Sequence, residues 1–193
     1  MSQSIIVPLD GSALAWQAVP VAARIARASG GSLHLIRVVV LPLDRVWLGV
    51  NPAHHLMQRE HDASEQATTY LEQVVGSEEL RGLAVTTHVL KENPASAILA
   101  LAQQQHATLI VLCSHGETGL TRWILGSVAL KVARQSPIPV LILRPEATGT
   151  TAPLIAPSRS VRVLVPLDGS LMAEEALAPA LALTRALSAP APG

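Results

Sequence analysis

Six residues, Val7-Pro-Leu-Asp-Gly-Ser12, return letter for letter as Val165-Pro-Leu-Asp-Gly-Ser170. An internal repeat of this kind restricts the fold before any propensity is weighed, because both copies must satisfy the same local geometry. The match runs past the hexapeptide: Ala15, Ala18, Ala22, Arg27 and Ala28 recur as Ala173, Ala176, Ala180, Arg185 and Ala186. Each copy opens on an apolar, β-branched run, breaks at Asp-Gly-Ser, and enters an alanine-rich stretch with helical spacing. The expected organisation is a complete domain over 1–145, a linker over 146–160 rich in Pro, Thr, Ala and Ser, and a truncated second copy over 161–193. That second copy would hold only the first strand and helix.

Ile5–Leu9 reads as a buried strand, and Ala15–Ser29 as a helix with Trp16, Val19, Ala22, Ala23 and Ala26 on its periodic face. Gly30-Gly31 ends the helix, and Leu33–Val40 is a second strand, which makes a right-handed βαβ unit. Leu41–Asn51 is irregular. A long polar helix is expected from Ala53 to about Val75, then a strand over Ala84–Leu90, and a helix over Ala95–Gln105 begun by Asn93-Pro94. Strands over Ala107–Cys113 and Pro139–Leu143 flank a helix over Ser127–Gln135, and the opening proline places the last strand near an edge. Five strands alternating with four helices predict an α/β fold: a doubly wound, five-stranded parallel open sheet with helices on both faces. Val161–Leu167 and Ala173–Leu187 are expected as one further strand and helix.

Composition excludes several classes. The chain is 49% hydrophobic, which is globular, and its core must use small aliphatics because aromatics are 2% and Phe is absent. Fourteen basic and fourteen acidic residues give a net charge of +0 with no basic stripe, so nucleic acid is not an expected partner. No run approaches the roughly 20 apolar residues of a membrane span. Met-Ser-Gln-Ser leads straight into a strand, without the pattern of a secretory leader. The one cysteine, Cys113, excludes an internal disulfide, and a reducing cytoplasm is the expected location. Near-neutral charge favours self-association.

Ligands of open α/β sheets bind beyond the carboxyl ends of the strands. Three segments fall there: Asp10-Gly-Ser12, Val38–Val40, and Cys113-Ser-His-Gly116, which leads after nine residues to Gly126-Ser127 at a helix start. Gly116 and Gly126 let backbone approach a ligand, and the first amides of the helix at Val128 and Ala129 can accept an anion. Ser127 offers a hydroxyl, and His115 and Arg122 offer positive charge. The alternative is a sharp strand-to-helix loop that needs glycine for its turns, with Asp10 as a helix cap. The spacing is not a Walker loop. Ser114-His115 beside Asp10 invites a hydrolase triad, but no Gly-x-Ser-x-Gly elbow exists. His54, His55, His61 and Asp62 could suggest a metal, against a solvated helix surface. Cys113 is expected as a packed, inert thiol. Trp16 reads as helix packing, and Trp47 as a cover for the site or a gap filler.

Four pieces together resemble the universal stress protein family: Ile5-Ile-Val-Pro-Leu-Asp-Gly-Ser12, the Asn93-Pro94…Ile98 helix start, Leu109-Ile-Val-Leu-Cys-Ser-His-Gly116, and Gly126-Ser-Val…Pro139-Val-Leu-Ile142. The similarity covers residues 3–145 and resumes over 161–187. It implies a dimer, often formed through the last strand, and ATP binding with or without magnesium. The family's ATP pattern is Gly, two residues, Gly, nine residues, Gly, then Ser or Thr. Gly116, Gly126 and Ser127 match it, whereas Cys113 stands at the first glycine. The resemblance assigns Asp10 to the adenosine and Val38 to the adenine edge; Pro8, Cys113, His115 and Val128 complete the expected cofactor-binding set. The expected function is an adenine-nucleotide-binding regulatory protein of the stress response with at most weak ATP hydrolysis. The alternative is a nucleotide-independent dimeric interaction protein, which the Cys113 departure favours. Asp168 has no glycine loop of its own, and Val163, Leu164, Val165 and Leu167 must pack on the first domain, pair across a dimer or stay partly disordered, with packing or dimer contact the expectation.

Overall fold

A computed structural model describes residues 3–40, 52–114, 125–144 and 161–188. Strands β1 (Ser4–Pro8), β2 (Ser32–Val38), β3 (Ala84–Leu90), β4 (Leu109–Cys113) and β5 (Val140–Leu143) form one sheet in the order β3-β2-β1-β4-β5. Every pairing is parallel, with Ile5 opposite Leu33 on one side and Leu109 on the other. Parallel neighbours require crossovers, and the helices supply them: α1 (Ala13–Trp16), α2 (Ala18–Ser29), α3 (Pro52–Val75), α4 (Pro94–Gln104) and α5 (Ser127–Gln135). The doubly wound sheet expected from the sequence is therefore present, with β5 at an edge.

The sheet buries both faces, which explains why β1 and β4 read as unbroken apolar runs rather than alternating ones. Ile5, Val7, Leu33, Leu35 and Val111 pack with α2 and with Leu71 and Val74 of α3. Ile6, Ile36, Ile110 and Leu112 pack with Ile98 and Leu101 of α4 and Val132 of α5. With no Phe available, close approach replaces bulk: Ala18, Ala22, Ala23 and Ala26 bring α2 flush against the sheet.

The structure corrects the expected helix over Ala15–Ser29. It is two helices that meet at Gln17. Pro20 lacks the N–H that would reach back to Trp16, so a continuous helix fails there and Pro20 sits in the first turn of α2. The same break divides the expected helix over Ala173–Leu187 into α6 (Leu171–Glu174) and α7 (Leu177–Ser188), with Pro179 in the first turn of α7.

A second correction concerns Val161–Leu167. These residues form no strand and join no sheet. A strand is a pairwise structure; β1 is held by β2 and β4, and among the described residues nothing pairs with its second copy. The helix of the second copy is sheltered on one side: α7 lies against α2, with Leu187 buried and Leu183 and Ala186 packed on the core.

The Asp-Gly-Ser turn forms in both copies regardless. Asp10 Oδ1 accepts from the Ser12 amide at 2.9 Å, and Ser12 Oγ accepts from the Ala15 amide at 3.0 Å. Asp168 Oδ1 accepts from the Ser170 amide at 2.9 Å, and Ser170 Oγ from the Ala173 amide at 3.1 Å. Gly11 and Gly169 carry φ of 90° and 82°, a region that disfavours a Cβ. The repeat thus encodes an autonomous turn-and-cap unit.

Candidate functional site

The sheet order reverses at β1: its first crossover leads outward to β2, and the chain later returns to its other side as β4. Crossovers that leave in opposite directions open a crevice at the carboxyl ends of these two strands. A cavity of about 470 Å³ lies there. That volume falls within the roughly 300–1,000 Å³ of small-molecule sites. Pro8 and Asp10 line it from β1, Val38–Val40 from β2, Cys113 and Ser114 from β4, and Gly126, Ser127 and Val128 from the start of α5. Of the sequence-derived site residues, seven therefore converge: Pro8, Asp10, Val38, Cys113, Gly126, Ser127 and Val128. His115, Gly116, Arg122 and Trp47 lie outside the described residues.

The α5 end of the cavity is built for negative charge. Gly126 is the N-cap, and no side chain among the described residues caps the helix. Its own amide donates to the Ser114 carbonyl at 2.8 Å, which pins the helix start to the end of β4. The amides that follow have no intrahelical acceptor, and the helix dipole adds partial positive charge. Ser127 and Val128 are exposed at this end.

At the β1 end, the Asp10 carboxylate also accepts from Ser12 Oγ at 2.6 Å. Both the capping role and exposure to the cavity hold for Asp10 at once. Beside it, the Arg37 guanidinium lies 5.1 Å from the centre of the Tyr70 ring. Gly11 closes the other side, and a Cβ there would land on the guanidinium. Arg37 Nη1 and the Tyr70 hydroxyl are buried without a hydrogen-bond partner among the described residues. Burial pushes the Tyr70 phenol above its ordinary range; Arg37 opposes that shift and Asp10 adds to it.

Cys113 departs from glycine, and the structure shows where its side chain goes. The thiol packs among Leu9, Ala15 and Ala18, with Sγ 4.0 Å from the Ala15 carbonyl. Burial pushes its pKa up to about 12, so the thiol is inert at neutral pH, as expected. His61 meets Glu65 at 3.4 Å on an exposed face of α3, and no cluster of three metal-ligating side chains occurs among the described residues. An open furrow along α3, lined by Asp62, Glu65, Gln66, Thr69 and Tyr70, adjoins the cavity at Gln66.

Ser114, in the Cys113–Gly116 segment singled out from the sequence, is buried, donates its amide to the Leu143 carbonyl at 2.8 Å and fixes β4 to β5. Sequence reasoning missed Arg37, Gln66, Pro94 and Ile98, which also line the cavity. Arg37 adjoins Val38 in sequence and was findable as a charge at a strand end; Gln66 carries no local signal, because α3 reaches the site only in the folded state. No described helix is long and apolar enough to cross a membrane.

Comparison with known proteins bears on the family and the fold. A family model described as the universal stress protein family matches residues 1–144. Universal stress protein MJ0531 of Methanocaldococcus jannaschii is 32% identical over 143 residues, covering 74% of this chain and 82% of that protein. Universal stress protein YxiE of Bacillus subtilis is 28% identical over 148 residues, covering 75% of this chain and 100% of that protein. The solved structure of protein MJ0577 superimposes with a TM-score of 0.65 at 23% identity, covering 76% of this chain and 98% of that one.

Proposed function

The chain belongs to the universal stress protein family, and from that premise we propose that it is an adenine-nucleotide-binding regulatory protein whose ligand, ATP, occupies the crevice between β1 and β4. The observation that carries the reading is the pairing of opposite chemistries across one cavity: the Asp10 carboxylate at one end and the uncapped start of α5 at the other. A ribose hydroxyl donates to a carboxylate. A phosphate accepts from helix amides and from Ser127. The strand-end backbone at Val38 takes the adenine edge. His115 and Gly116 belong to the same proposed phosphate loop.

The Cys113 side chain supports this reading over a nucleotide-independent one, since its thiol packs toward α1. Magnesium, if carried, would be held chiefly by phosphate oxygens and water, as that ion commonly is. No described residue in the cavity is poised as a general base, so the protein is read as a binder with at most weak hydrolysis. A homodimer in a reducing cytoplasm completes the proposal; the buried, unpaired Cys113 supports that compartment.

Equilibrium binding of labelled ATP tests it. Saturable binding is expected, and Ser127→Ala should weaken it about tenfold through loss of a hydrogen bond to a charged group. Absence of saturable binding up to millimolar nucleotide would overturn the proposal and leave the interaction-protein reading.

A further inference from the structure

The repeat permits a position-by-position comparison that exposes an unmet packing demand. Ile5, Ile6, Val7 and Leu9 are buried in the first copy; their counterparts are Val163, Leu164, Val165 and Leu167. Leu164 is 91% exposed, and Val163 and Leu167 are each about half exposed at 48% and 50%. The helix repeats the pattern. Val19 and Ala23 face the sheet in α2, whereas their counterparts Leu177 and Leu181 are 45% and 51% exposed. Leu171 and Met172 add 82% and 78%. Leu187, which docks α7 on α2, stands where the first copy has Ser29. The second copy is therefore anchored through the end of α7, by Leu183, Ala186 and Leu187, while Leu177 and Leu181 nearer its start are left exposed.

Scaled to whole side chains, these seven exposures amount to on the order of 800 Å² of apolar surface. The largest patch on a typical monomer is roughly 300–600 Å². Each partner of a standard interface contributes roughly 800 Å². Residues 161–168 lie in no helix, strand or turn, and no backbone hydrogen bond within this segment or to another described segment is formed by them. An unpaired extended segment is a template for strand addition.

We propose that residues 161–181 are a self-association surface and that its occupant is a second copy of this chain, the two segments pairing antiparallel about Val165. That register is favoured by charge and by proline. It sets Arg162 opposite Asp168 of the partner subunit. With Val165 as a hydrogen-bonded pair, the amides of Val163, Val165 and Leu167 turn toward the partner, and Pro166, which has no N–H, faces away. The odd-numbered apolar side chains then share the face that belongs under α7, as Ile5, Val7 and Leu9 lie under α2. This surface does not depend on nucleotide binding.

Sedimentation velocity and cysteine crosslinking on the full chain test the proposal. The wild type should show a concentration-dependent dimer. Val165→Pro removes a paired amide that has no described partner within the monomer, so it should raise the dimer dissociation constant tenfold or more while circular dichroism stays unchanged. Val165→Cys should form a disulfide dimer, since hydrogen-bonded antiparallel partners sit with Cα atoms about 5.5 Å apart, within disulfide range. Leu164→Cys, displaced from the two-fold axis, should not. Buried Cys113 does not compete. A wild type that stays monomeric at 200 µM (roughly the concentration of a weak specific contact), a dimer indifferent to Val165→Pro, or equal crosslinking at 164 and 165 would each overturn the proposal.

Discussion

Gly11→Ala and Gly169→Ala make the same change in the same hexapeptide, yet their costs should differ. Both glycines hold positive φ, 90° and 82°, so each alanine meets left-handed strain of about 1–2 kcal/mol. At Gly169 nothing among the described residues lies within 4 Å of an added Cβ, and strain is the whole cost. At Gly11 the methyl collides with the Arg37 guanidinium. Arg37 must leave the slot between Gly11 and the Tyr70 ring, which forfeits a cation–π contact of about 0.5–2 kcal/mol. The expected loss for Gly11→Ala is therefore about 1.5–4 kcal/mol, or about 3–16 °C in Tm for a chain of this size. Urea unfolding of both variants measures it. Arg37→Ala supplies the decisive comparison: in that background the methyl has room, and Gly11→Ala should cost only the backbone strain. Equal costs at Gly11 and Gly169, or a Gly11→Ala penalty that Arg37→Ala fails to reduce, would refute the reasoning.

Three further outcomes are expected. Cys113, with its thiol near 12, should resist a thiol reagent at pH 8 in the native state and react fully only on unfolding, as a time course with and without denaturant would show. His34 Nδ1 lies 3.2 Å from His88 Nε2, and burial lowers both pKa values below the ordinary 6.5, with the charge of His34 lowering His88 further. The unfolded chain then binds more protons below about pH 6.5, so stability should fall as pH drops from there until the folded values are passed, and His88→Gln should flatten that limb in pH-dependent urea melts. Leu187→Ala should release α7 from α2, raising hydrogen exchange over residues 177–188 while β1 and β4 stay protected; unchanged exchange in α7 would contradict its docking.

The sheet was legible because its signals are local and agree with one another. Ile5–Leu9 and Ala107–Cys113 are too short and too apolar to be anything but buried strands, and Gly126 before Ser127 marked a helix start to the residue. The misses have physical reasons. Pro20 and Pro179 break helices whose alanine periodicity runs straight through them, so a pattern of apolar spacing outweighed a missing donor. Val161–Leu167 carries every local strand signal and forms none, because pairing is decided by neighbours. At the site, Asp10, Val38, Gly126 and Ser127 were found from their places at element ends. Arg37 was overlooked although it stands beside Val38 at a strand end, and Gln66 was missed because its approach depends on how α3 crosses the sheet.

The central claim is that one adenine nucleotide binds between the ends of β1 and β4. Titration of the ¹⁵N-labelled full chain with ATP tests it most directly, because each backbone amide reports separately. Saturable shifts are expected at Asp10, Val39, Ser114 and Gly126–Val128, with Asp168–Ser170 silent despite its identical sequence. Titration to millimolar ATP that leaves Gly126–Val128 unmoved, or that moves Asp168–Ser170 as much as Asp10–Ser12, would contradict it.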